Sequence, residues 1–200
     1  MQEAKRRHGA WPDDNGHTQF SLWAPDAKSV AVQMQDQARH EMTASENGWF
    51  TTTLPAPAGT DYHYLIDGHL LVPDPASRWQ ANDVHGPSRV IDPQAYHWRS
   101  NQWQGRPWQE TVLYEVHVGT LGGYAAVAQK LPALAELGIT AIELMPLGEF
   151  PGGRNWGYDG VLPYAPDSSY GTPDELRGLI DHAHELGPVS YTHLTLPTKA

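Results

Sequence analysis

The chain has 200 residues, 40% hydrophobic and 10% aromatic, with 13 Lys and Arg against 23 Asp and Glu for a net charge of -10. That balance disfavours nucleic acid or an anionic membrane as partner, since both need a concentrated positive surface. The lack of cysteine excludes disulfides and thiolate metal sites.

No apolar run approaches the ~20 residues of a bilayer span. Met1-Gln2-Glu3-Ala4-Lys5-Arg6-Arg7 is followed by no apolar stretch either, so no signal peptide is read and the cytoplasm is the expected location. Residues from about Thr18 to Val90 read as short strands broken by turns. Phe20, Leu22 and Trp23 precede the turn Ala24-Pro25-Asp26. Val30, Val32 and Met34 alternate with Ala31 and Gln33, the period of two of a half-buried strand. Gly48-Trp49-Phe50 opens a threonine-rich strand that closes at Leu54-Pro55. Tyr62, Tyr64 and Ile66 alternate with His63 and Leu65 up to Asp67-Gly68, a strong hairpin signal, and Leu70 to Val72 returns. Turns at this spacing predict a small antiparallel β-sandwich.

Val72-Pro73-Asp74-Pro75 through Pro93 is proline-rich and irregular, a loop lying over a domain boundary. Trp98, Trp103 and Trp108 follow, and aromatics this dense in a connector favour gluing two domains over touching a ligand. From Thr111 the pattern changes. Val112 to Val118 is an apolar run of the kind a strand covered on both sides shows. Tyr124 to Leu137 carries Val127, Leu131, Leu134 and Leu137 at helical spacing, with Gly138 as its stop. Ile139 to Met145 is a second buried strand. Thr172-Pro173-Asp174-Glu175 is a capping box that opens a helix through Leu176, Leu179, Ile180 and Ala183 to Gly187. Strand, helix, strand, helix is the start of a parallel α/β fold.

The loop after the second strand holds Asn155-Trp156-Gly157-Tyr158-Asp159-Gly160. Parallel α/β folds bind ligands at the carboxyl ends of their strands. Two flat rings beside a carboxylate suit a sugar, which has one apolar face and a rim of hydroxyls. Packing of Trp156 and Tyr158 against their own domain accounts for the same residues equally well. His117, near the end of the first strand, either faces a cleft or is a satisfied core histidine. Glu115 shares its face by the period of two. His182 and His184 fall on different helix faces, and no spacing among the histidines supports a metal site; no cofactor is expected. Asp13, Asp14 and Asp167 read as solvated turn residues.

Several segments carry a resemblance. They are Trp23-Ala24-Pro25, Val72-Pro73-Asp74-Pro75-Ala76-Ser77-Arg78-Trp79-Gln80, Asp83-Val84-His85-Gly86-Pro87-Ser88 and Tyr114-Glu115-Val116-His117-Val118-Gly119-Thr120. Ala141-Ile142-Glu143-Leu144-Met145-Pro146, Glu149-Phe150-Pro151, Asn155 to Val161 and Tyr164-Ala165-Pro166 continue the series. In this order, from roughly Gly9 to Gly187, the chain resembles glycoside hydrolase family 13, the α-amylase family. The resemblance implies an early-set, immunoglobulin-like β-sandwich of carbohydrate-binding type over residues 1–92, with its covering loop at 73–92. A Trp-rich connector at 93–110 and the first two β/α units of a (β/α)8 TIM barrel at 111–187 would follow.

It implies a retaining glycosidase that cleaves the α-1,4 bond beside the terminal trehalose unit of maltooligosyltrehalose, or acts on a related α-1,4-glucan. A branching or debranching enzyme, or a non-catalytic glucan-binding module, are the alternatives. The family's catalytic carboxylates sit on later barrel strands, so none is expected in this chain, which alone would be inactive. Tyr158 would stack on the sugar where the bond is cut, Trp156 would shape the loop, Asp159 would hydrogen-bond nearby, and His117 would edge the cleft. On the sandwich, Trp49 and Tyr62 are either a glucan platform or packed structure. The loop Thr120-Leu121-Gly122-Gly123-Tyr124 is shorter than the family's. Pro188 to Ala200 departs from the family pattern and resembles translated adaptor sequence, so 188–200 is expected to be an artefactual tail.

Overall fold

Alternation in the first ninety residues produces two antiparallel sheets in the computed structural model, which describes residues 8–186. The strands are β1 (Gly9–Pro12), β2 (His17–Trp23), β3 (Val30–Met34), β4 (Arg39–Glu41), β5 (Thr43–Ala44), β6 (Trp49–Pro55), β7 (Asp61–Ile66), β8 (Leu70–Val72) and β9 (Ser88–Arg89). One sheet runs β1-β2-β6-β5; the other runs β4-β3-β7-β8, with β9 also on β7. Phe20, Leu22 and Phe50 from the first sheet meet Val30, Val32, Tyr62 and Tyr64 from the second in a single core. Asp67 and Gly68 both take positive φ, 50° and 72°, as the hairpin between β7 and β8 requires. Strand β3 departs from the expected half-burial. Ala31 and Gln33 are buried as well as Val30 and Val32, and the Gln33 amide is satisfied by Gln37 at 2.9 Å.

The proline-rich segment is held from inside by its own polar side chains. Asp74 is wholly buried and accepts from the Tyr62 hydroxyl at 2.6 Å and the Ala76 N–H at 2.7 Å. Ser88, also buried, receives the Asp74 N–H and donates to Gln80 at 2.7 Å. Arg78 stacks on Trp11, 3.5 Å from the ring centre. Buried polar groups persist only when hydrogen-bonded, so the Pro-Asp-Pro-Ala-Ser-Arg motif is a structural clasp.

The chain divides into two units between Pro93 and Gln94. The second contains β10 (Leu113–Val116), α1 (Val118–Leu121), α2 (Tyr124–Glu136), β11 (Ala141–Leu144), β12 (Gly148–Glu149), β13 (Leu162–Pro166) and α3 (Pro173–Glu185). Strands β10 and β11 pair in parallel, Leu113 opposite Ala141 and Val116 opposite Leu144. Val116, Val127, Leu131, Ile142, Leu144 and Leu179 form the core between strands and helices. This is the β/α alternation with which a (β/α)8 barrel begins. The capping box on α3 forms in both directions, Thr172 N–H to the Glu175 carboxylate at 2.7 Å and Glu175 N–H to the Thr172 hydroxyl at 3.2 Å. Gly138 has a φ of 95° just past α2, as a helix stop should.

Two expectations are corrected here. The first strand stops at Val116 rather than Val118, because Val118 already starts a helical turn. Nor is it covered on both sides. Leu113 and Tyr114 are exposed, and among the described residues β10 pairs only with β11. Gly187, expected to end the last helix, and the tail 188–200 lie outside the described residues.

The Trp-rich stretch finds its partners within the second unit. The Trp103 ring lies flat on His184, 4.0 Å between centres, and Trp98 meets Tyr96 edge-on. Asp181 on α3 anchors the same stretch. It is fully buried and accepts from the N–H groups of Arg99 and Ser100, both at 2.9 Å, from the Ser100 hydroxyl at 2.5 Å and from Tyr96 at 3.2 Å. Burial pushes its carboxyl pKa up, but Ser100 and Arg99 outweigh that and hold it well below the usual range. An acid with a depressed folded pKa stabilises above its unfolded pKa and stops doing so as pH falls through the folded one. The anchor is therefore expected to hold at all but strongly acid pH. Asp181→Ala, which removes the shared acceptor of Tyr96, Arg99 and Ser100, should cost about 1–3 kcal/mol and speed proteolysis within 96–104 at neutral pH, with no pH at which wild type and variant converge until strong acid.

Candidate functional site

The carboxyl ends of β10 and β11 carry the residues singled out by sequence. Beyond Val116 the chain turns at His117, whose ring caps the short helix α1. Its Nδ1 accepts from the Thr120 N–H at 3.1 Å, so the ring carries its proton on Nε2, which donates to the Asn155 carbonyl at 2.5 Å. Both nitrogens are committed to backbone. His117 is thus no core histidine: it lines the pocket between the loops after the two strands and ties those loops together. Glu115, expected on the same face, does not pair with it, since His117 has left the strand and both nitrogens are spent.

Past β11 the chain makes an excursion whose ends are drawn together by the antiparallel pair β12–β13, a feature read from sequence only as a long loop. Buried carboxylates brace this neck. Glu149 accepts from the Ser168 N–H at 2.7 Å and its hydroxyl at 2.9 Å; Asp167 accepts from the N–H groups of Phe150 at 3.2 Å and Ser169 at 2.9 Å. Asp167 is therefore no solvated turn residue. It is completely buried, because the main-chain donors of the neck need an acceptor.

Within the excursion, the Asn155 side-chain oxygen accepts from the Gly157 N–H at 2.6 Å and the Tyr158 N–H at 3.1 Å, a tight turn closed by a side chain. Gly157 has a φ of 98°, and a Cβ there would sit 2.6 Å from the Pro146 carbonyl oxygen. Only glycine lets the loop lie so close to the end of β11. The turn presents Trp156, 79% exposed, and Tyr158, 69% exposed, with Asp159 exposed beside them. Among the described residues, neither ring is packed into its own unit. Large apolar rings held out to solvent on a fixed turn mark a surface that meets something.

Residues 7–95 match the family model for carbohydrate-binding module 48, the isoamylase N-terminal domain. Over those residues the first unit is similar to that module. Across the whole chain, the malto-oligosyltrehalose trehalohydrolase of Deinococcus radiodurans is 43% identical over 189 residues, 92% of this chain and 31% of that protein. The enzyme of the same name from Saccharolobus solfataricus is 41% identical over 91% of this chain and 34% of its own length. A solved structure from Salmonella typhimurium, provisionally assigned as an alpha amylase, superposes with a TM-score of 0.88 at 45% identity, covering 94% of this chain and 32% of that one. The chain thus spans about a third of the length of the relatives it matches. It is similar to α-amylase-family trehalohydrolases over nearly all its residues, and its two units are the early-set sandwich and the first two β/α units of the barrel.

In the first unit, the suggested platform of Trp49 and Tyr62 does not form. Tyr62 is buried with its hydroxyl on Asp74, and burial raises its pKa well above the ordinary value. Trp49 faces the other way, opposite the exposed Trp23 on β2 and edge-on to His8 at 4.7 Å.

Proposed function

We propose that this chain supplies the sandwich, over about residues 1–92, and the opening of the catalytic barrel, from about 111, of a retaining glycosidase. That enzyme would cleave the α-1,4 bond next to the terminal trehalose of maltooligosyltrehalose and release trehalose, in the cytoplasm. The observation that carries the reading is the fixed, solvent-facing Tyr158 at the carboxyl end of β11, in a chain similar to proteins named for that activity. Tyr158 stacks on the pyranose, Asp159 hydrogen-bonds at its rim, Trp156 walls the loop, and His117 holds the two loops in register. The nucleophile and the acid–base pair, ~5 Å apart in retaining enzymes, come from barrel strands outside this segment.

The test uses the gene product that carries this segment together with the rest of the barrel. Tyr158→Ala should lower kcat/KM for trehalose release about 10- to 100-fold, the worth of one buried aromatic face. Unchanged turnover would sink the role of Tyr158. New α-1,6 branches in place of trehalose would instead identify a branching enzyme.

A further inference from the structure

The chain contains two Asp-Gly pairs, Asp67-Gly68 and Asp159-Gly160. A glycine after aspartate lets its main-chain nitrogen reach back to the aspartate side chain, because no Cβ hinders the approach. The two pairs share one covalent chemistry and differ in how the fold holds them.

Asp67 is held. Its Oδ1 accepts from the Lys28 N–H at 2.8 Å and the Ser29 N–H at 2.9 Å, and the Ser29 and Lys28 donors keep its carboxyl below the usual pKa range. Both bonds must break before its Cγ can swing round to the Gly68 nitrogen. Asp159 is exposed, and its carboxylate makes no hydrogen bond or ion pair among the described residues. The N–H of Gly160, also exposed, has no partner among them either.

We propose that Asp159 is a modification site, at which the main chain rearranges and aspartate becomes isoaspartate. The Gly160 nitrogen bonds to Asp159 Cγ, and the carboxyl OH leaves with the N–H proton as water, giving a five-membered imide. Water then adds back. Breaking the bond from nitrogen to Cγ restores aspartate. Breaking the bond from nitrogen to the main-chain carbonyl carbon routes the chain through Cγ and frees that carbon as the new carboxylate. The net change in mass is zero, and no oxidant or cofactor takes part.

The location makes the rearrangement consequential. Gly157 lies against Pro146, where a Cβ would be 2.6 Å from the carbonyl oxygen, and Gly160 lies against Gly148, where a Cβ would be 3.1 Å from the carbonyl oxygen. Only Tyr158 and Asp159 span the interval between those two contacts. One more main-chain carbon adds roughly 1.5 Å of chain, which the interval takes up by moving Tyr158. The proposal stands whatever ligand that ring meets.

The test ages the 200-residue chain in mildly acid buffer, native and in urea, and then digests it. Isoaspartate is labelled by a carboxyl methyltransferase that uses S-adenosylmethionine, and the label is assigned peptide by peptide. Asn15-Gly16 and Asn47-Gly48 report separately, because they change mass on losing ammonia. In urea the two Asp-Gly pairs should convert at similar rates. In the native chain Asp159 should convert faster than Asp67 by about tenfold or more, the effect of the two hydrogen bonds that must first break. Asp159→Glu, whose longer side chain would need a less favourable six-membered ring, should lose the label at this position and melt as wild type does.

Equal native rates at the two pairs, no native label at Asp159 when the urea sample is labelled there, or label that persists in Asp159→Glu would each overturn the proposal. The readout is the label and not turnover, so the modification and the trehalose-release reading fail separately.

Discussion

Replacing Gly157 with alanine will disable the site while leaving the first unit intact. At a φ of 98°, a Cβ would stand 2.6 Å from the Pro146 oxygen and 3.0 Å from its ring. Real Cβ atoms do not come that close to backbone, and Pro146 cannot yield because it continues directly from β11. The loop must therefore lift. That breaks the bonds from Gly157 and Tyr158 to the Asn155 oxygen and loosens the Asn155 carbonyl that holds His117. Strain at such a position costs about 1–3 kcal/mol, visible as an earlier melt of the second unit. The larger effect is on function, since a displacement of ~1 Å at a positioning element costs about 10²-fold in rate. In the full enzyme, kcat/KM should fall at least as far as in Tyr158→Ala. A Gly157→Ala enzyme with normal turnover would show that the turn does not place the ring.

Local chemistry was legible in the sequence, and long-range pairing was not. Asp67-Gly68, the Thr172 to Glu175 capping box and Gly138 each act within a few residues, so their meaning survives without tertiary context. The exposed Trp-Gly-Tyr turn was legible for the same reason, although its solvent-facing rings were not. Asp74, Asp167 and Asp181 show the opposite case. Asp74 and Asp167 sit among polar or proline-rich neighbours and read as loop, and Asp181 reads as one more residue of the capped helix, yet each is buried as the acceptor for main-chain donors. For Asp181 those donors lie more than eighty residues away. His117 was noticed as a cleft residue, but its tie to the second loop was not, because its partner carbonyl is 38 residues on. The neck β12–β13 escaped notice since its strands are two and five residues long, too short for a period to show.

Removing the Asp74 carboxylate should be the most damaging single change in the first unit. In Asp74→Ala, the Tyr62 hydroxyl and the Ala76 N–H lose their acceptor where water cannot replace it. At about 1–3 kcal/mol for each stranded group, the loss approaches 4 kcal/mol, out of a total that for a domain of this size is about 5–15 kcal/mol. Urea unfolding of this unit should move to much lower midpoints, with the clasp at Arg78 and Trp11 released first.

Asp74→Asn keeps the shape and one acceptor oxygen, so it should cost less, and it separates packing from charge. Burial holds the Asp74 carboxyl above its ordinary range, even though the Tyr62 hydroxyl, the Ala76 N–H and Arg78 pull it down. A folded pKa above the unfolded one means that the folded state binds the proton more tightly. The stability from this group is then complete below the unfolded pKa, about 3.9, and is lost as pH rises through the folded value. The wild type should therefore show urea midpoints that fall across that interval, while Asp74→Asn, with no proton to release there, stays flatter. Parallel pH profiles for the two would mean that Asp74 is ionised throughout and that its buried hydrogen bonds alone carry the clasp.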